Sequence, residues 1–135
     1  MRIELTVLAW GCILALVHIF AAVVLKTQLY GTAWNAGARD AAMPPPPPLI
    51  ARLDRAQRNF FETFPLVVAA IALLGITGIE TRWTAIGAVV WLGARIAYLP
   101  IYAAGTPYVR TLIFLVSVVG LLMMLWPILV APLFG

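Results

Sequence analysis

The stretch Leu112–Val130, LIFLVSVVGLLMMLWPILV, contains no charged side chain, and Ser117 is its one hydroxyl. As a helix rising 1.5 Å per residue it spans about 28 Å, close to the roughly 30 Å hydrocarbon thickness of a bilayer. Only a helix satisfies all of its own backbone polar groups in lipid, so the stretch is predicted to be a transmembrane helix. Three further apolar runs share this character, at about 5–29, 59–79 and 83–102. Of the 135 residues 64% are hydrophobic and 10% charged, against about 45–50% and 25% in a soluble domain. Lipid must therefore take the place of a buried core. The expected fold class is all-α integral membrane, a four-transmembrane-helix bundle forming one domain over 1–135.

The first run is longer than the h-region of a signal peptide, about 7–15 residues, and reads as a retained span. Spans two and three are joined by a tight turn around Gly78, Glu80 and Arg82, and three and four by 103–107. Links this short force antiparallel neighbours. The long connection, 30–58, carries five consecutive prolines, Pro44 to Pro48. These favour polyproline II at about 3.1 Å per residue, a stiff spacer of roughly 15 Å. A loop strut is a simpler reading of the run than an SH3-type ligand.

Orientation follows from the basic residues. Lys26, Arg39, Arg52, Arg55, Arg58 and Arg110 fall in or beside the first and third connections, and only Arg2 and Arg82 on the other side. Cytoplasmic loops are enriched in Lys and Arg, so both termini are predicted outside the cytoplasm. The net charge of +4 is then a basic rim facing anionic lipid headgroups. The basic residues form no stripe of the kind that tracks nucleic acid, and no nucleic-acid partner is expected.

The segment Arg52-Leu53-Asp54-Arg55-Ala56-Gln57-Arg58-Asn59-Phe60-Phe61-Glu62-Thr63-Phe64-Pro65 is the most informative for chemistry. As helix, Arg55, Asn59 and Glu62 stand at i, i+4 and i+7 and share one face as the chain enters the bilayer. A carboxylate there is costly unless paired, which makes Glu62 a functional candidate. The other reading is an interfacial bridge from Glu62 to Arg58, and the helix alone leaves the two level. Pro65 cannot donate to the Phe61 carbonyl, so a kink is expected one turn inside the membrane. In the third span Arg95, Tyr98 and Tyr102 share a face, with Arg95 about 10 Å from the cytoplasmic end by helix rise. Tyrosines at this level commonly form an interfacial belt. Their convergence with Arg55, Asn59, Glu62 and Arg110 on the cytoplasmic side instead implies a cationic pocket. Its natural occupant is a small anion with several carboxylates and an amine, gripped by arginines, with Glu62 and Asn59 accepting from N–H groups.

Other conspicuous residues point to packing. Cys12, the single cysteine, reads as a buried, inert thiol, since a reactive one needs an electropositive, accessible setting. His18 has no second metal ligand nearby and reads as an interhelical hydrogen-bonding residue. No metal is expected.

The run Arg55-Ala56-Gln57-Arg58-Asn59-Phe60-Phe61-Glu62-Thr63-Phe64-Pro65 resembles the R-x-x-x-N-x-x-E-x-x-P signature of the MAPEG family, membrane-associated proteins in eicosanoid and glutathione metabolism. Arg95-Ile96-Ala97-Tyr98, with Tyr102 and Arg110 behind it, and the number and order of spans are similar to the family too. The likeness covers nearly the whole chain and is nearest to a bacterial member resembling microsomal glutathione transferases. It implies a homotrimer with glutathione as co-substrate, held between neighbouring subunits at the cytoplasmic half of the membrane. By position Arg55, Gln57, Asn59, Glu62, Tyr98 and Tyr102 look like the family's glutathione ligands, and Arg95 is grouped with them from its face of the third span. Arg110 resembles the arginine that stabilises the glutathione thiolate, although its spacing from Tyr102 is one residue longer than in some relatives. Thr63 stands where the leukotriene branch has a tyrosine. The function implied is transfer of glutathione thiolate to a lipophilic electrophile, or reduction of a lipid hydroperoxide, in the inner membrane of a bacterium. The alternatives are a non-catalytic scaffold of the same fold or a small transporter component. A transporter would more readily show internal repeats, and none stands out.

Overall fold

The computed structural model describes residues 2–134. It is all helical among those residues: α1 (Ile3–Tyr30), the single-turn α2 (Thr32–Ala36), α3 (Pro48–Thr77), α4 (Arg82–Ala103) and α5 (Pro107–Phe134). The four long helices are each apolar and long enough to cross a bilayer, and the protein is an integral membrane protein. Large apolar side chains such as Trp10, Phe20, Ile76 and Leu129 stand exposed on the outside of the bundle. In water such a surface would drive aggregation; in lipid it is the solvated face.

Two helices extend beyond the apolar runs. α3 begins at Pro48 rather than Asn59, because Ile50, Leu53 and Ala56 recur at helical spacing and are buried. The charges between them mask this stripe from hydropathy. Pro48 itself opens the helix, at a position whose N–H has no intrahelical partner. α5 likewise starts at Pro107 rather than near 112. The long connection therefore shrinks to α2 and residues 37–47. Tyr30 donates its hydroxyl to the Pro44 carbonyl at 2.5 Å, tying the proline run back to the end of α1. Pro65, where a kink was expected, lies inside α3, which runs on as helix beyond it to Thr77.

α3 is the organising helix. Its buried side chains Phe60, Phe64, Val67, Ile71 and Leu74 recur every three or four residues. They meet Val7 and Leu14 of α1, Ala88 and Trp91 of α4, and Leu121 and Met124 of α5. Phe64 stacks on Trp91 with ring centroids 5.8 Å apart. His18 is buried and stacks on Phe60 at 4.7 Å, while neither ring nitrogen has a hydrogen-bond partner. Its interhelical contact is thus a ring stack and not the hydrogen bond expected. Cys12, expected to be buried, lies on the exposed side of α1.

Helix ends are fixed by identifiable groups. Gly78 terminates α3 in the left-handed region at φ 71°, where glycine carries no side-chain penalty. Thr81 caps α4: its Oγ1 accepts from the Thr84 N–H at 3.0 Å, and its own N–H donates to Thr84 Oγ1 at 3.2 Å. Arg2 donates to the carbonyls of Leu74, at 3.0 Å, and Ile79, satisfying groups at the end of α3. Beside it, the buried Glu4 accepts from the Thr84 hydroxyl at 2.6 Å.

Candidate functional site

At the opposite end from Glu4, α3, α4 and the start of α5 enclose a cleft of about 220 Å³. It is lined by Arg55, Arg58, Asn59 and Glu62 of α3, Tyr98 and Tyr102 of α4, and Arg110 of α5. The α3 set converges because 55, 59 and 62 follow the 3.6-residue period. Tyr98 and Tyr102 are one turn apart and pack edge to face at 5.4 Å.

Tyr102 is the pivot. Its hydroxyl accepts from Arg55 Nε at 3.1 Å, and the Arg110 guanidinium lies over its ring at 4.8 Å. One buried ring thus orients two cations without neutralising either. An adjoining cavity of about 210 Å³ continues past Arg52, Gly105 and Pro107. There Arg52 donates to the Ala103 carbonyl at 2.9 Å, and Gly105 turns the chain at φ 77°.

Glu62 is the one carboxylate in the cleft. It is exposed and makes no ion pair or hydrogen bond with any described residue, so the alternative bridge to Arg58 does not form. The ion pair that does hold α3 is Asp54 with Lys26 of α1, at 2.6 Å. The cleft therefore presents three guanidinium groups and one free carboxylate at its mouth. Such a set is complementary in charge to a zwitterion with excess negative charge, because guanidinium forks match carboxylates and a carboxylate matches an ammonium.

Two of the predicted residues stand apart. Gln57, two positions from Arg55, is carried to another side of α3 and lines a cavity of about 580 Å³ against α1. Lys26, Arg39, Asp54 and Arg58 line the polar part of that cavity, and Ile19, Val23 and Phe61 its apolar part. Arg95 does not line the cleft but is fully buried behind it, donating from Nη1 to Asn59 Oδ1 at 2.8 Å. Sequence reasoning weighed Arg58 only as a possible bridge partner of Glu62 and did not place it among the cleft residues. Its position three after Arg55, on the shared face, was the available signal.

Among the described residues no three His, Cys, Asp or Glu side chains gather as a metal site. The chemistry the cleft offers is thus that of its cations, one carboxylate, an amide and two phenols. Compared with curated proteins, the chain matches none. The MAPEG family model, by contrast, matches residues 7–130, which take in the whole cleft and nearly all of the four spans. The chain belongs to the MAPEG family.

Proposed function

We propose that the protein is a glutathione-dependent membrane enzyme that transfers the glutathione thiolate to a lipophilic electrophile or uses it to reduce a lipid hydroperoxide. The observation that carries this reading is the cleft's unpaired charge set, Arg55, Arg58, Arg110 and Glu62. Glutathione has two carboxylates, one ammonium and a thiol, and each charged group finds an opposite one in that set. A free thiol with a pKa of about 8.5 is mostly protonated at neutral pH, and a guanidinium beside the sulfur favours the nucleophilic thiolate. Arg110 is assigned that role, held in place over the Tyr102 ring. The electrophile arrives from the bilayer, and the protein supplies no nucleophile of its own.

The placement of Gln57 supports assembly as a homotrimer with glutathione between subunits. Facing away from the Arg55–Glu62 side of α3, it serves the same ligand only if one protomer's Gln57 side meets the next protomer's cleft. The basic residues around both cavities support a cytoplasmic site, with both termini outside. Reporter fusions at the C-terminus test the orientation, and native mass spectrometry with retained lipid tests the trimer.

The deciding experiment is calorimetry of glutathione binding to the detergent-purified protein, followed by turnover of a hydrophobic electrophile and of a lipid hydroperoxide. Binding with turnover supports the proposal. Absence of binding would leave a non-catalytic scaffold as the better account.

A further inference from the structure

Arg95 is 0% exposed within the bundle, and no carboxylate accompanies it. Glu4 is held by Thr84, Asp54 by Lys26, and Glu80 lies 4.0 Å from Arg2. Asp40 and Glu62 form no ion pair at all among the described residues. The cation rests instead on ring faces, 4.3 Å from the Tyr98 centroid and 5.3 Å from that of Phe60. Its one hydrogen bond runs to Asn59, while Nε and Nη2 have no partner. A buried arginine in a membrane protein is costly, and one that stabilises the fold so incompletely calls for another role.

That role follows from the chemistry of the one bond. A guanidinium has five donors and no acceptor, so the atom that Asn59 turns toward it must be the carbonyl oxygen. The amide is therefore held in one orientation. Its NH₂ makes no hydrogen bond with any described residue, and Asn59 lines the cleft. The cation behind the carbonyl also polarises the amide and strengthens those N–H donors. Asn59 is half-buried, deeper than the exposed Arg55, Arg58 and Glu62.

We infer that Arg95 is a positioning residue that fixes Asn59 as a hydrogen-bond donor, making the inner end of the cleft a carboxylate subsite. The inference rests on the glutathione reading and reverses the sequence-based expectation that Asn59 accepts from N–H groups. Glu62 is left to receive the ligand's ammonium.

The test uses the full-length protein in detergent and three ligands titrated by calorimetry. These are glutathione, its glycyl monoethyl ester, and 4-aminobutyryl-cysteinyl-glycine, which keeps the amine but lacks the other carboxylate. Asn59→Asp keeps the side-chain shape and still accepts from Arg95, but loses the donor. It is expected to weaken glutathione about ten- to a hundredfold. One of the two analogues, lacking the carboxylate that meets Asn59, should bind parent and Asn59→Asp within about threefold of each other. Arg95→Met should weaken glutathione comparably with the same analogue spared, and Arg95→Lys, which can still donate to the carbonyl, should recover part of the affinity. A merely structural arginine would not produce that ligand-dependent pattern. Equal sensitivity of all three ligands, or parent-like glutathione binding by Arg95→Met, would overturn the inference. Failure of the parent to bind glutathione shows in the first titration and overturns the enzymatic reading, taking the subsite with it.

Discussion

Gly87 of α4 and Gly120 of α5 place two helix backbones in contact. A methyl group on Gly87 would lie 2.8 Å from the Gly120 carbonyl oxygen, and one on Gly120 would lie 2.6 Å from the Gly87 carbonyl oxygen. In lipid no hydrophobic force presses helices together, so small residues at a close crossing supply the packing that does. The same seam carries the buried Ser117, Leu121 and Met124 of α5, so the close crossing sets how those side chains seat.

Gly120→Ala should therefore destabilise the bundle by about 1–3 kcal/mol through overpacking against backbone that cannot yield. Gly93→Ala is the control, because nothing lies within 4 Å of the added methyl. It should be neutral or stabilise by up to about 1 kcal/mol. Unfolding midpoints in a denaturing-detergent titration separate the two.

Glu62→Ala should weaken glutathione binding about five- to 150-fold, the effect of leaving a ligand N–H unmet at a cost of about 1–3 kcal/mol. Because Glu62 bonds to nothing within the protomer, stability of the isolated protomer should stay within about 0.5 kcal/mol of the parent. Calorimetry and thermal unfolding, run side by side, check both halves.

Arg110→Ala should fail differently. Glutathione affinity should be largely kept while conjugation slows at neutral pH, with partial recovery as pH rises through the free thiol's pKa of about 8.5. Loss of rate with retained binding marks an interaction made chiefly in the reacting state. Comparing kcat with KM across pH for parent and variant reads this out.

Thr84→Val should cost about 1–3 kcal/mol, since it strands the buried Glu4 carboxylate and removes half of the α4 capping box. Glutathione binding should be unchanged, because the cleft is at the other end of α4. Thr84→Ser should restore stability.

The four spans were legible because lipid imposes one demand on every residue of a crossing helix, and runs such as 112–130 answer it without exception. The first turns of α3 were not. There Ile50, Leu53 and Ala56 pack inward between Arg52, Asp54 and Arg55, and averaging over a window cancels the signal. The Arg55, Asn59 and Glu62 face was legible from helical spacing alone, whereas Gln57, grouped with them by resemblance, lies on another side of α3. What spacing cannot give is depth. Arg95 shares a face with Tyr98 and Tyr102, yet it ends behind the cleft and not in it, because Asn59 from α3 comes between. That depends on how two helices cross, which no single helix encodes.

The first connection differs from the other two in how little the bundle asks of it. Residues 37–47 are exposed except for the half-buried Pro46, while α1 is held to α3 by the Lys26–Asp54 ion pair, the His18–Phe60 stack and the fit of Gly11 against the Phe64 ring. The peptide chain here acts as a leash between two pieces that recognise each other through side chains. Trypsin cleaving after the exposed Arg39 would leave fragments 1–39 and 40–135 bound together and eluting as one species. The same two pieces, expressed as separate polypeptides, would find one another in the membrane, so this connection is the place in the chain where a tag or fluorophore can be inserted without disturbing the helices.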